Sequence, residues 1–161
     1  MKDKKVLAGG AVLFIAAFWF YVKPHYFDSK PATVYTEQQI AESPLPTVKL
    51  EERVLNLKAP SNAPNYVKAT IALAFEDPDH KYIKLKGEAI NVANLAFTKE
   101  LDADMPRIWD VITSVVGSRT IDQVSTSEGR VQLKADLVEA INKTLAHEKV
   151  QDVFFSAFIT Q

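Results

Sequence analysis

The stretch YVKATIALAFE, residues 66–76, alternates apolar with polar or small side chains and predicts one long β-strand. One face carries the larger apolar residues, which are Val67, Ala69, Ile71, Leu73 and Phe75. The other face carries Lys68, Thr70, Ala72, Ala74 and Glu76. Because only one face is strongly apolar, we expect a half-buried strand with the first face on the core.

A second strand is predicted just before it, over residues 48–57 (VKLEERVLNL). Its apolar residues change parity, with Val48, Leu50 and Val54 on one side and Leu55 and Leu57 on the other. This change predicts a β-bulge near Val54–Leu55. The intervening loop, residues 58–65 (KAPSNAPN), is short, so the two strands are expected to form a hairpin.

The segment that follows residues 77–79 (DPD) is the least regular part of the pattern. Residues 81–86 (KYIKLK) alternate like an exposed strand. Beyond Gly87, Ile90, Ala93, Phe97 and Leu101 fit a helix, whereas Ile90, Val92 and Leu95 do not decide between helix and strand. The structure of residues 88–101 is therefore left open.

Two helices are predicted in the second half of the chain. The first covers residues 104–117, with Asp104 as its cap, Pro106 in its first turn and Gly117 at its end. Its apolar face consists of Ile108, Ile112, Val115 and Val116.

The second helix follows residues 125–128 (STSE), a capping-box pattern in which Ser125 is the N-cap and Glu128 reaches back. Its apolar face consists of Leu133, Leu137, Ile141 and Leu145.

Gly129 lies near the start of this second helix, where it costs about 1 kcal/mol relative to alanine. We therefore expect a close contact at that position.

The closing stretch VFFSAFITQ, residues 153–161, predicts a final strand that is apolar on both faces. Such a strand belongs inside a sheet rather than at its edge, and the preceding helix allows it to dock beside a much earlier strand. We assign Val153, Phe155, Ala157 and Ile159 to the core. Phe154 and Phe158 share the other face, where they either pack under another layer of the domain or form a contact between subunits.

The N-terminal segment from Val6 to Val22 is free of charge and predicts a membrane-spanning helix. Its seventeen residues would extend about 25 Å as a helix, with Trp19 and Tyr21 at one interface. A cleaved signal peptide is the alternative, but bulky residues occupy the place where cleavage needs small ones. A buried core helix is disfavoured because the segment is apolar on every side.

The lysines before the span predict that residues 1–5 lie in the cytoplasm and residues 23–161 on the other side of the membrane. Residues 23–47 contain four of the eight prolines and predict a periplasmic stalk. Three aromatic residues interrupt its polar character, Tyr26, Phe27 and Tyr35. They lie either against the lipid headgroups or domain surface, or against a partner. Residues 48–161 are the folded periplasmic domain, of α+β class.

Composition and motifs give no sign of catalysis, a cofactor or a metal. The chain of 161 residues contains no cysteine, and its three histidines have no ligand spacing. No GxSxG or phosphate-binding glycine loop occurs. A net charge of −1 also argues against a nucleic-acid partner. The layout is typical of a tethering or scaffolding protein of the membrane.

Several motifs, taken in order, resemble the flagellar basal-body-associated FliL family. They are the R-I-x-D-x-I run at Arg107–Ile112, the S-E-G-R run at Ser127–Arg130, Ile141–Asn142, and the ending V-x-D-V-x-F-x-x-F-x-x-Q at residues 150–161. The resemblance extends over nearly all residues from 46 onward. Residues 80–103 depart from it, because the spacing there is longer than in the family.

This resemblance implies a domain similar to the stomatin/prohibitin-type (SPFH) fold, anchored in the inner membrane beside the flagellar motor. It implies no enzymatic activity and no cofactor. It further implies a homo-oligomeric ring that associates with stator subunits and stabilises them, and so supports torque in swimming and swarming. In that setting Tyr26, Phe27 and Tyr35 are candidate stator contacts, and Phe154 and Phe158 are candidate contacts within the ring.

Two other classes of protein share parts of this layout. A bitopic subunit of a pilus or secretion assembly platform has a similar plan, but it often carries a heptad-patterned helix after the span, which residues 23–47 lack. An anchored periplasmic enzyme would need a convergent polar pocket.

Overall fold

The computed structural model describes residues 35–59 and 64–161. The elements in chain order are α1 (Glu37–Ala41), β1 (Thr47–Lys49), β2 (Arg53–Leu57), β3 (Asn65–Phe75), α2 (Glu88–Glu100), α3 (Met105–Gly117), α4 (Ile121–Ser125), α5 (Ser127–Thr144) and β4 (Val150–Thr160). The predicted α+β class is confirmed.

The predicted span from Val6 to Val22 and the aromatic residues Tyr26 and Phe27 lie outside the described residues. Within the described ranges, no helix is both long and apolar enough to cross a bilayer.

The sheet is built around β3, the long strand predicted from alternation. Strands β1 and β2 pair antiparallel with one edge of β3, and β4 pairs antiparallel with the other. The predicted hairpin is confirmed as β2–β3. The outer edge of β1 meets α2, because the Thr47 amide donates to Asn94 Oδ1 at 3.0 Å.

The single strand predicted over residues 48–57 is divided in two. Leu50, Glu51 and Glu52 separate β1 from β2, although the Leu50 amide still donates to the Ile71 carbonyl at 2.8 Å. The β-bulge predicted near Val54–Leu55 was wrong in position. The core residues change from even-numbered to odd-numbered positions at the interruption between β1 and β2. Val54 accordingly points away from the core and is 63% exposed.

One apolar core lies between the sheet and the helices. All five residues assigned to the inner face of β3 are buried, with exposures of 0–2%. Helix α3 packs against β2, and α5 packs against β4 and α3. The core residues of these helices include most of those predicted, namely Ile108, Ile112, Val116, Leu133, Leu137 and Ile141, with Leu145 just beyond α5. Val115 is only partly buried, and Trp109 is a buried residue of α3 that the prediction missed. Burying each such side chain contributes roughly 1.5–3 kcal/mol.

The N-terminal ends of the helices differ in detail from the prediction. Asp104 precedes α3 but makes no capping hydrogen bond, and its carboxylate instead pairs with Arg107 at 3.4 Å. The N-cap of α5 is Thr126, whose Oγ1 accepts from the Gly129 amide at 3.0 Å. Ser125, the predicted cap, closes α4 by donating to the Ile121 carbonyl at 2.7 Å.

A capping box is present one helix earlier than predicted. Thr120 and Gln123 exchange side-chain and backbone bonds at the start of α4. The close contact expected at Gly129 is confirmed, because a Cβ there would lie 1.6 Å from the Gln123 carbonyl oxygen. The junction between α4 and α5 is therefore too tight for any side chain at this position.

The exposed strand predicted over residues 81–86 is not formed. The carboxylate of Asp77 accepts from the amides of Lys81 at 3.0 Å and Tyr82 at 2.7 Å, which folds the segment into a turn. His80 adopts a φ of 54° within this turn. Local capture of amides by an Asp side chain competes with strand pairing, and here it prevails.

The undecided segment after Gly87 is the helix α2. Its Phe97 ring contacts Phe75 edge-to-face, with centroids 5.1 Å apart, and Leu101 beyond its end is buried. Val92 and Leu95 point to solvent at 60% and 65% exposure. Their outward position explains why the apolar pattern of this helix was ambiguous.

Candidate interaction surface

Strand β4 lies at an edge of the sheet, so the prediction of an interior strand was wrong. Within residues 35–59 and 64–161, it pairs only with β3. Its docking beside a much earlier strand is confirmed by the same pairing. Its second apolar face does not lie under another strand. That face is exposed instead.

An irregularity at Ser156 decides which side chains of β4 face the core. Ala157 pairs with Thr70 and Phe155 pairs with Ile71, so Ser156 is an extra residue without a partner on β3. Such a bulge reverses the alternation of the residues beyond it. Phe158 therefore faces the core opposite Ala69, and Ile159 faces outward opposite Lys68.

The assignments of Ala157 and Ile159 to the core were accordingly wrong. Ala157 pairs with Thr70 on the opposite face, and the side chain of Ile159 is 54% exposed. Val153 is fully buried as expected, and Phe155 packs against the core.

We call the opposite surface of the sheet the outer face. Directly paired residues of antiparallel strands share a face, so the registers define it. Its members are Lys49, Val54, Asn56, Tyr66, Lys68, Thr70, Ala72, Phe154, Ala157 and Ile159, with Thr47, Ala74 and Asp152 at one end of the sheet. Four of them are large apolar or aromatic side chains with exposures of 39–63%, namely Val54, Tyr66, Phe154 and Ile159.

These four residues form a surface that crosses three strands. Val54 on β2, Lys68 on β3 and Ile159 on β4 lie in one cross-strand row. Lys49, Ala72 and Phe154 form a second row nearer the other end of the sheet. The small side chains of Thr70 and Ala157 lie between these rows, so the surface is low and apolar. Such exposed patches mark protein or membrane contacts more often than isolated apolar residues do.

Two of the cations at this surface have identified partners. Lys68, within the surface, places its Nζ 2.7 Å from the Glu52 carboxylate, so its charge is paired at the β2 side. Lys134 of α5, beside the surface, places its Nζ 5.3 Å from the ring centroid of Phe154 and 5.8 Å from that of Phe155. This cation–π contact lies at the side of β4 where none of the described strands pairs, and a lysine at such an edge discourages nonspecific strand pairing.

The arrangement is suited to macromolecular contact and offers little for chemistry. In the described part of the chain, no group of His, Asp and Glu side chains could hold a metal ion. His80 lies in the turn after β3, and His147 is exposed in the loop before β4. The outer face presents Lys49, Asn56, Lys68 and Asp152 among apolar and small side chains.

The candidate contact residues named from the sequence are separated by the structure. Phe154 lies on the outer face and is 45% exposed. Phe158 lies on the core side, with its ring centroid 4.8 Å from that of Phe155. Tyr35 is half-buried just ahead of α1. Their contacts with the stator or between subunits stay predictions.

Sequence reasoning missed Val54, Tyr66 and Ile159 as members of this surface. Their common face follows from which residues pair across β2, β3 and β4, and alternation within one strand does not contain that information. The one available signal was the parity change, which the prediction placed at Val54–Leu55 and which therefore grouped Val54 with Val48 and Leu50.

Comparison with known proteins links the whole domain to one family. The family model described as flagellar basal body-associated protein FliL matches residues 47–161, which is more than half of the chain. The match begins at the first residue of β1 and continues through β4. The flagellar protein FliL of Aquifex aeolicus (strain VF5) is 32% identical over 85 residues, which are 53% of this chain and 53% of that protein. The chain thus spans about half the length of the curated relative that it matches.

Proposed function

This chain belongs to the flagellar basal body-associated FliL family, and we propose on that basis that it is a non-enzymatic accessory protein of the bacterial flagellar motor. The observation that carries the proposal is the family match across residues 47–161, which includes every strand of the sheet. In this role the protein associates with the stator, the ion-driven unit that turns the rotor. It stabilises the active stator and so supports torque in swimming and swarming.

The proposed topology places the domain in the periplasm. The segment from Val6 to Val22 anchors the chain in the inner membrane, with residues 1–5 in the cytoplasm. Residues 23–47 then form the periplasmic stalk, within which α1 occupies Glu37–Ala41. The domain that follows is of the stomatin/prohibitin (SPFH) type, as the family resemblance implies.

Assembly into a ring is the second part of the proposal. The exposed side chains of Phe154 and Ile159 adjoin the unpaired edge of β4, so one contact could bury both the apolar residues and the strand edge. Cyclic symmetry repeats such a contact until the ring closes. Phe154 is the leading candidate for this contact, and Phe158 supports it from the core side.

Contact with the stator is assigned to the stalk. Tyr26, Phe27 and Tyr35 supply aromatic area next to the membrane, where they meet the stator's periplasmic linker. A ring that binds only one conformation of that linker shifts the stator population toward it. The effect on torque then follows from differential binding, without any chemistry in this chain.

The test is affinity purification of the tagged full chain from detergent-solubilised membranes, with quantitative mass spectrometry of the bound proteins. We expect stator subunits to be recovered, and we expect a Tyr26→Ser, Phe27→Ser double variant to recover at least fivefold less, on the order of 1 kcal/mol. A matched control, Leu95→Ser, alters an exposed apolar side chain of α2, which belongs neither to the stalk nor to the outer face. Recovery of pilus or secretion platform components without stator subunits would overturn the proposal.

A further inference from the structure

A cavity of about 480 Å³ opens beside α2. Its walls come from the turn after β3, from α2 and from the loop before β4. Phe97, Leu85 and Ala93 supply apolar lining. A volume of this size accommodates a small ligand or one or two side chains.

The side chain of Tyr82 is the unusual member of this lining. The residue is 5% exposed, and its hydroxyl has no hydrogen-bond partner among the described residues. Buried hydroxyl groups of native proteins nearly always have such a partner. The apolar surroundings raise the pKa of Tyr82, and the carboxylates of Asp77 and Glu100 raise it further. The hydroxyl is therefore protonated at neutral pH, and its oxygen can accept a hydrogen bond from a ligand.

The rim of the cavity is predominantly acidic. Five carboxylates line it, those of Glu76, Asp77, Asp79, Glu100 and Glu148, against the two ammonium groups of Lys81 and Lys149. Both ammonium groups are already engaged, Lys81 with Asp79 at 3.0 Å and Lys149 with the Asn142 carbonyl at 3.2 Å. In the described part of the chain, Glu76, Glu100 and Glu148 form no ion pair.

We propose that this cavity binds an alkylammonium or guanidinium group carried on an aliphatic stem. The stem lies against Phe97 and Leu85, the cation meets Glu100 and Glu148, and an N–H of the cation donates to the Tyr82 hydroxyl oxygen. A single ligand of this kind satisfies the orphaned hydroxyl and the unpaired carboxylates together. Neither an anion nor a purely apolar ligand does both.

Two sources offer this chemistry, the basic side chain of a partner protein and a free polyamine. The test uses ligand-observed saturation-transfer NMR on the full chain in a non-ionic detergent. The probes are N-acetyl-arginine methylamide for the side chain and pentane-1,5-diamine for the free amine. N-acetyl-glutamate methylamide and N-acetyl-norleucine methylamide serve as probes of opposite charge and of no charge.

We expect saturable binding of at least one cationic probe. We expect no binding of the N-acetyl-glutamate or N-acetyl-norleucine probe. Tyr82→Phe removes only the hydroxyl, and Glu100→Gln removes only the charge, and each is expected to raise the Kd about tenfold. Glu139→Gln, which alters an exposed carboxylate of α5 away from the cavity, is expected to leave the Kd unchanged. Circular dichroism of each variant checks that the fold is retained.

Tighter binding of the arginine probe than of the diamine assigns the cavity to a partner's side chain, and the reverse assigns it to a free polyamine. Equal binding of the glutamate and arginine probes would overturn the proposal. Unchanged affinity in both Tyr82→Phe and Glu100→Gln would overturn it as well.

Discussion

Phe154 and Phe158 lie four positions apart on the same strand, yet they point to opposite faces of the sheet. In a regular strand this spacing would place both on one face. The extra residue Ser156 reverses the alternation between them, so Phe154 pairs with Ala72 on the outer face and Phe158 pairs with Ala69 on the core face. The two phenylalanines therefore contribute to different properties of the domain, and substitution separates them.

Replacing Phe154 with serine is expected to weaken self-association at a modest cost in stability. Its ring is 45% exposed and contacts Lys134, so its loss should lower the free energy of unfolding by about 1 kcal/mol. Sedimentation velocity of the full chain in detergent measures the association. Val131→Ser is the matched control, because Val131 is 67% exposed but lies on α5. Equal weakening by both variants would contradict a specific role for the outer face.

Replacing Phe158 with alanine is expected to have the opposite effect, a loss of stability with self-association retained by the molecules that fold. Loss of the contact with Phe155 and the core should lower the free energy of unfolding by about 2 kcal/mol, less than for a fully buried phenylalanine. Urea denaturation followed by circular dichroism measures this. A variant that keeps its stability but no longer associates would instead place Phe158 in the contact between subunits.

Gly129 and Gly117 offer a matched pair of helix glycines. A methyl group at Gly129 would lie 1.6 Å from the Gln123 carbonyl oxygen, so Gly129→Ala should cost more than about 3 kcal/mol. A methyl group at Gly117 would lie 3.6 Å from the Asn56 carbonyl oxygen, so Gly117→Ala should be neutral or stabilise by up to about 1 kcal/mol. Thermal unfolding of both variants decides the matter. Similar melting temperatures would show that the α4–α5 junction relaxes around the methyl group.

Asn142 fixes the start of β4 through two hydrogen bonds to one residue. Its Oδ1 accepts from the Val150 amide at 2.7 Å, and its Nδ2 donates to the Val150 carbonyl at 2.8 Å. Asn142→Ala is expected to lower the free energy of unfolding by about 2 kcal/mol, because both backbone groups lose their partner. Asn91→Ala removes an exposed amide of α2 and serves as the control. Hydrogen exchange of the Val150 amide should accelerate in the first variant alone.

The raised pKa of Tyr82 predicts that the domain loses stability at alkaline pH. Its pKa in the folded chain is raised above 10.0, first by burial and then by Asp77 and Glu100. Below pH 10 both the folded and unfolded states hold the phenolic proton. Above it the unfolded state releases the proton first, so the free energy of unfolding falls as the pH rises toward the folded pKa. Tyr82→Phe should lack this contribution, and its stability should fall less steeply above pH 10 in denaturation series. Parallel curves for the two proteins would contradict the raised pKa.

Periodicity within one element predicted much of this fold. The inner face of β3 and the core faces of α3 and α5 were read directly, because each packs one regular stripe against a single core. The prediction of a strand over residues 81–86 failed because the Asp77 carboxylate accepts hydrogen bonds from two backbone amides of this segment. Helix α2 was ambiguous because Val92 and Leu95 are apolar but exposed.

The candidate interaction surface was less predictable for a related reason. Phe154 was named from the sequence, but its neighbours on the outer face come from other strands, and only the register brings them together. The bulge at Ser156 has no local sequence signal, since serine is compatible with a regular strand. Ile159 was therefore placed on the wrong face, although its apolar character was recognised.

The position of β3 between β2 and β4 also governs how the chain must fold. Its pairing with β2 is local, whereas its pairing with β4 joins positions about 75 to 93 residues apart. Contacts so distant in sequence form late, because the loop-closure entropy must be overcome before they stabilise the chain. We therefore expect a transient species in which one side of Val67–Phe75 has no partner. That interval is when the chain is most exposed to aggregation, and when a chaperone would have the largest effect on its yield.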